Sequence, residues 1–168
     1  LKRLEQEAGI QVFSDGVHWE QSCMYHNEVL HCFLESLRLL KIWGKSLPKK
    51  LLETTVRMAM ANVAWKKPDG CQPITGDSDE TPLADMLSAS AILLAGEGRE
   101  KAEILKGCAE SYPDYESIWD WGQEGVSLYE GISSHVPEER NFFLEESGNY
   151  YLRSSWEKDG EYLHFRNG

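Results

Sequence analysis

The sequence predicts a mainly α protein whose antiparallel helical hairpins give way to a short antiparallel β segment. Three observations predict it. Apolar residues recur at helical spacing in two long runs before residue 66. A short link holding Gly44 and Pro48 joins those runs. From Asn141 the texture changes to aromatic and aliphatic residues separated by Ser, Gly and charges, as in strands.

The elements follow in order. The opening stretch LKRLEQEAGI reads as the tail of a helix. A long helix is expected from about Val17 to Trp43, with Val29, Leu30, Phe33, Leu37, Leu40 and Ile42 on its apolar face. A second runs from Pro48 to about Trp65, with Leu51, Leu52, Val56, Met58, Met60 and Val63 turned inward. The two make an αα-hairpin. A polar loop spans Lys66 to Glu80, and a third helix is expected from Pro82 to Leu94 with Thr81 as N-cap. Shorter helices are expected at Arg99–Cys108, at Tyr115–Trp121 with Asp114 as N-cap, and at Gly125–Glu130. Residues 149–156 and 161–166 read as two strands joined by the turn Glu157-Lys158-Asp159-Gly160. The division expected is a helical part, residues 1–140, and the start of a β domain, residues 141–168.

The chain has 168 residues, enough for one domain. It opens at Leu1 without an initiator Met and stops just after a strand-like stretch, so it is read as an internal piece of a longer protein. Its start therefore says nothing about export. No apolar run is long enough to span a bilayer. The net charge is −11, from 17 basic and 28 acidic residues. That argues against nucleic acid as a partner and against a heavily sulfated substrate. The four cysteines, Cys23, Cys32, Cys71 and Cys108, form no CxxC and no zinc-spaced cluster. Cys23 and Cys32 fall roughly 180° apart on a helix, so they are not expected to bridge. Reduced, mostly buried thiols favour a reducing compartment and leave a periplasmic or secreted setting open.

The residues from His18 to Glu28 are polar almost all round, where a structural helix would carry an apolar stripe. Glu20, Gln21, Tyr25, His26 and Asn27 crowd into this stretch. That pattern fits either a cleft lining or a solvated helix end.

Three landmarks sharpen the reading. Residues 13–26, Phe-Ser-Asp-Gly-Val-His-Trp-Glu-Gln-Ser-Cys-Met-Tyr-His, closely resemble the heparinase II/III family, which carries an Asp-Gly followed by aromatic-Glu-x-Ser-x-x-Tyr-His. Residues 73–79, Pro-Ile-Thr-Gly-Asp-Ser-Asp, are similar to the family's Pro-x-x-Gly-Asp-Ser loop. Residues 147–156 resemble its Gly-x-Tyr-x-x-Arg-Ser-x-Trp segment at the start of the β domain. All three stand in the family's order.

The resemblance implies part of an (α/α) toroid followed by the first strands of an antiparallel β-sandwich. It implies β-elimination at a uronic acid in an acidic polysaccharide such as heparan sulfate or heparin. Tyr25 matches the family's catalytic tyrosine, which serves as acid and often as base. The family's Asn and His fall outside these residues, so Asn27 and His26 do not inherit those roles, and the chain alone is expected to be inactive. A Tyr working as base needs its pKa lowered, which His26 or Gln21 could provide.

Around Tyr25 the candidate substrate-binding residues are His26, Gln21, Glu20, Asp77, Asp79 and Trp19. Each has a plainer reading. His26 and Glu20 would order the helix, Asp77 and Asp79 would hold their loop, and Trp19, like Trp65, would be core. Arg153 and Trp156 read as β-domain structure. No cofactor is expected in these residues; some relatives hold a structural divalent metal in the β domain. Three alternatives remain: a non-catalytic carbohydrate-binding relative, a lyase for another uronide such as alginate, and an inverting hydrolase using Asp77 with Asp79. The last fits poorly, because inverting carboxylates stand ~6.5–9.5 Å apart.

Overall fold

The computed structural model describes residues 1–109, 113 and 115–167. Its elements are α1 (Lys2–Gln11), α2 (Cys23–Ile42), α3 (Lys49–Trp65), α4 (Ala84–Leu94), α5 (Arg99–Cys108), α6 (Tyr115–Gly131), β1 (Phe142–Leu144), β2 (Asn149–Arg153) and β3 (Tyr162–Arg166). The chain is thus mainly α with a small antiparallel sheet.

Helix α4 lies at the centre, touching α2, α3, α5 and α6. Its sequence explains the position. ADMLSASAILL is apolar or small nearly all round, so every face can be covered. The core joins Leu30, Phe33 and Leu37 of α2 to Leu51, Met58 and Trp65 of α3 and to Leu87, Ile92 and Leu93 of α4. Helix α2 ends where Gly44 takes φ +62°, letting the chain turn back into α3.

The long first helix expected from Val17 begins instead at Cys23. The residues ahead of it form a hairpin-like turn: Val12 bridges His18, the Phe13 amide donates to the Val17 carbonyl (2.9 Å), and the Trp19 amide donates to the Gln11 carbonyl (2.8 Å). Gln21 then adopts φ +54°, which no helix continues through, and Ser22 is extended at the N-cap. The missing apolar stripe therefore has a simple origin, since much of that polar run is not helix.

Thr81 does not cap α4. Its carbonyl accepts the Gln72 amide (2.9 Å), and Cys71 bridges Pro82, so the helix starts after Leu83 without a side-chain cap. The two short helices expected after residue 114 are one element broken at Gly122 (φ +58°, ψ −156°). The expected cap Asp114 lies outside the described residues. The first strand ends at Arg153 rather than 156, because Trp156 folds back and donates Nε1–H to the Pro137 carbonyl (3.0 Å). Glu157–Gly160 is a turn, with the Gly160 amide donating to the Glu157 carbonyl (3.0 Å).

A strand not foreseen, β1, pairs with β2, giving the order β1-β2-β3, antiparallel throughout. Tyr151 stands opposite Phe142 on one side and His164 on the other. The sheet turns Asn149, Tyr151 and Arg153 inward while Phe143, Leu152, Leu163 and Phe165 are exposed, the alternation of a sheet covered on one face.

Specific bonds fix the covered face to the helices. Arg153 donates to the carbonyls of Ala64 (2.5 Å) and Lys66 (3.3 Å) at the end of α3. The Tyr162 hydroxyl donates to the Trp65 carbonyl (2.9 Å). The Asp15 carboxylate accepts the amides of Val17 (3.1 Å) and Ser147 (2.8 Å). Asp15 and Arg153 are thereby structural ties between helices and sheet.

Candidate functional site

The first turn of α2 carries the candidate tyrosine, and the loop from Thr75 to Asp79 lies against it. Two hydroxyls and two backbone amides make this junction. Ser22 caps α2, accepting the Tyr25 amide (3.4 Å), and donates to the Asp77 carbonyl (2.9 Å). Ser78 accepts the Met24 amide (3.1 Å), lies 2.9 Å from the Ser22 hydroxyl and donates to the Thr75 carbonyl (2.7 Å). Gly76 has φ +62°, and a Cβ there would stand 3.3 Å from the Gln21 carbonyl oxygen. The loop thus seats on the helix start with little spare room.

A buried amide chain braces the other side of the loop. Asn62 of α3 donates to Asn27 (2.7 Å), Asn27 donates to Gln72 (2.8 Å), and Gln72 donates to the Asp79 carbonyl (2.9 Å). Asn62 and Gln72 are almost wholly buried, so these bonds form away from water, where an unmade one is costly.

With the loop held on both sides, the Tyr25 hydroxyl donates to Asp77 Oδ2 at 3.1 Å. Tyr25 is 38% exposed and Asp77 is exposed, so the pair faces solvent. The hydrogen bond to Asp77 and that carboxylate's charge, with a smaller contribution from Glu20, hold the Tyr25 pKa above its ordinary value. This corrects the expectation that His26 or Gln21 would lower it.

His26 is not at the surface. It is 1% exposed, packs edge-on against Trp65 (centroids 4.6 Å apart, 76°), and uses both ring nitrogens. Nδ1 accepts the His18 amide (3.3 Å) and Nε2 donates to the Met58 carbonyl (3.1 Å), so the ring pins α2 to α3. Burial pushes its pKa down to about 3, and it is neutral. A ring so enclosed has no edge left for substrate, which corrects its place among the substrate-binding candidates. Gln21 lies in the strained turn, with its side-chain oxygen buried and unbonded among the described residues. Glu20 is exposed in the same turn and locks no helix. Trp19 is 55% exposed, available rather than core, whereas Trp65 is buried. Asp79 is exposed, and the bond that holds it is made by its carbonyl. The structure therefore brings Tyr25, Asp77 and, by its charge, Glu20 together, and leaves His26 out.

Sequence reasoning passed over Ser22, Ser78 and the Asn27–Asn62–Gln72 chain. Ser22 carries a usable signal, being a good N-cap residue just ahead of the helix. The amide chain carries none, since its members come from three separate segments.

Among the described residues one group could attract a metal. Ligand atoms of His31, Glu35 and Asp120 lie within 4.8 Å of one another. Arg38 already occupies the Glu35 carboxylate (2.8 and 2.5 Å) and approaches Asp120 (3.8 Å), so a cation would have to displace a guanidinium. All four cysteines are free: Cys23 and Cys108 are buried, Cys71 half-buried and Cys32 exposed, so two rather than most are buried.

The site is thus a tyrosine on the first turn of a helix, hydrogen-bonded to a Gly-Asp-Ser loop. Residues 1–93 match the family model described as the heparinase II/III N-terminus. The chain belongs to the heparinase II/III family. Its fold is that of solved heparinase structures. It is similar to a heparinase III described as the BT4657 gene product (22% identity, TM-score 0.77), covering 99% of this chain and 23% of that one. It is similar to a mutant of the heparan sulfate lyase HepC from Pedobacter heparinus (22% identity, TM-score 0.69; 98% and 23% covered) and to another heparinase III (17%, 0.71; 99% and 24%). The chain spans about a quarter of the length of these structures. No curated protein matches it.

Proposed function

We propose that this chain is the tyrosine-bearing part of a polysaccharide lyase that cleaves a uronic-acid-containing glycosaminoglycan, of the heparan sulfate or heparin kind, by β-elimination. The observation that carries the reading is the exposed Tyr25 hydroxyl on the first turn of α2, in a family-matched segment, aimed by Asp77 of the Gly-Asp-Ser loop. In this reading the helices are part of an (α/α) toroid, and β1–β3 begin a β-sandwich.

The chemistry asks for three groups. One neutralises the uronate carboxylate so that C5–H becomes acidic, one removes that proton, and one protonates the departing oxygen on C4. Tyr25 is suited to the last, because a phenol is protonated at neutral pH and the neighbouring Asp77 carboxylate disfavours the phenolate. The other two groups belong to parts of the parent protein beyond these residues, so the 168-residue chain alone is inactive. Trp19, 55% exposed in the turn ahead of α2, is a candidate to stack on a sugar ring. The net charge of −11 favours a substrate of low sulfation.

The test is to incubate the full-length parent protein with heparan sulfate, heparin and alginate and follow the ultraviolet absorbance of the unsaturated uronate. Signal with a glycosaminoglycan supports the reading, and signal with alginate alone moves the substrate to another uronide. Binding without signal points to a carbohydrate-binding relative.

A further inference from the structure

We infer that the amide relay Asn62–Asn27–Gln72, with Gln72 as its central link, is a positioning device for the reaction, holding the Gly-Asp-Ser loop at one place over the first turn of α2. This rests on the lyase reading above and deepens it, by adding residues that act without meeting the substrate. Asn62 is 0% and Gln72 1% exposed, so a polymer can touch neither.

Gln72 uses both ends of its side chain. Oε1 accepts from Asn27 on α2 (2.8 Å), and Nε2 donates to the Asp79 carbonyl (2.9 Å). Its backbone amide donates to the Thr81 carbonyl (2.9 Å), across the neck of the loop. One residue therefore closes the loop, spans it and ties it to α2. Asn62 donates to Asn27 Oδ1 (2.7 Å), which turns the donor end of the Asn27 amide towards Gln72. The relay leaves α2 at Asn27, two positions past Tyr25, and reaches the loop at Asp79, two positions past Asp77. It runs between the same two segments as the Tyr25–Asp77 bond, on their inner side.

Ser22 and Ser78 already fasten the loop to the start of α2. A loop fastened along one side can swing about that line, and the exposed Asp77 carboxylate would swing with it. The second attachment, at Asp79, removes that freedom. Stability alone gives no reason for amides here, since apolar side chains of the same shape serve about as well. A fully paired polar network adds direction and rigidity.

The test uses the full-length parent as wild type, Gln72→Met, Asn27→Ala, Asp77→Ala and the double variant Gln72→Met/Asp77→Ala. Met keeps the length of Gln72 and makes neither bond. Asn27→Ala breaks the relay at a less buried position, so it carries the test if Gln72→Met does not fold. Misplacement of about 1 Å costs about 100-fold, so both should lower kcat by about 10- to 100-fold on heparan sulfate, with KM within about twofold. An unchanged kcat, or a raised KM with kcat intact, would overturn the inference. In the Asp77→Ala background, Gln72→Met should cost less than about a further twofold, because the relay acts through that loop residue; the full loss there would also overturn it. A crystal structure of either relay variant needs no activity. Loss of the 3.1 Å contact between Tyr25 and Asp77 supports the relay even if no polymer is cleaved, in which case only the lyase reading fails. An unmoved contact overturns the relay.

Discussion

Replacing Arg153 by Met should loosen the sheet from the helices. Arg153 is 6% exposed, and its guanidinium makes no ion pair with a carboxylate among the described residues. Instead it donates to the carbonyls of Ala64 (2.5 Å), Lys66 (3.3 Å) and Arg140 (3.2 Å), and lies 4.1 Å from the centre of the Trp156 ring. Two of those carbonyls belong to the end of α3, where a helix has no internal donors to offer. Met fills much of the same volume but leaves these acceptors bare. Hydrogen bonds to a charged group are worth about 1.5–3 kcal/mol each, and a desolvated cation on an aromatic face about 2 kcal/mol. The cost of burying the charge offsets much of this. The net loss expected is about 3 kcal/mol, which at 1.4 kcal/mol per decade is about a 100-fold rise in local opening. Lys, a point charge that cannot span three carbonyls, should recover little. Hydrogen exchange of the full-length parent reads this directly at the end of α3 and along β2. A rise under about tenfold in Arg153→Met would refute the view that this side chain fixes the sheet.

Two further outcomes are expected. Gly16→Ala should destabilise the parent by at least ~2 kcal/mol, since residue 16 has φ +93° and a Cβ there would stand 2.3 Å from the Arg57 carbonyl oxygen; an unchanged thermal melt would contradict this. Acid should destabilise through His26. Its folded pKa of about 3 lies below the ordinary 6.5, so the unfolded chain binds the proton first, and stability present above pH 6.5 is lost as pH falls towards 3. The slope is about 1.4 kcal/mol per pH unit. His26→Gln should flatten denaturation against pH in that window, though not abolish the slope, because burial also pushes His18 down. An unaltered slope would count against the buried neutral ring.

Much of the fold was legible because it rests on local signals. Helix α5 runs from Arg99 to Cys108 as its pattern predicts, and α3 and the end of α4 fall where apolar spacing and Pro48 place them. The errors share one cause, tertiary contacts that override local preference. Residues 17–22 have helix-compatible side chains but are drawn into a turn against Gln11 and Val12. Thr81 is a good cap whose carbonyl is taken by Gln72. The strand β1 is only three residues long and exists by pairing with β2. At the site, Tyr25 and Asp77 were both legible as motif residues 52 positions apart, and their hydrogen bond was not. His26 misled because a polar residue beside a catalytic candidate looks like a cleft lining. One helical step away from Tyr25 it points into the core, where Trp65 and the Met58 carbonyl enclose it.

The central claim is that Tyr25 supplies the proton for β-elimination. The most direct measurement compares full-length wild type with Tyr25→Phe on heparan sulfate, recording both the appearance of the unsaturated uronate and the binding of polymer. A single methylene-sized change in a half-exposed ring removes the hydroxyl and leaves the scaffold. The account predicts that cleavage falls by about 100-fold or more, as for loss of a general acid, while binding is retained. Cleavage by Tyr25→Phe at the wild-type rate would contradict it.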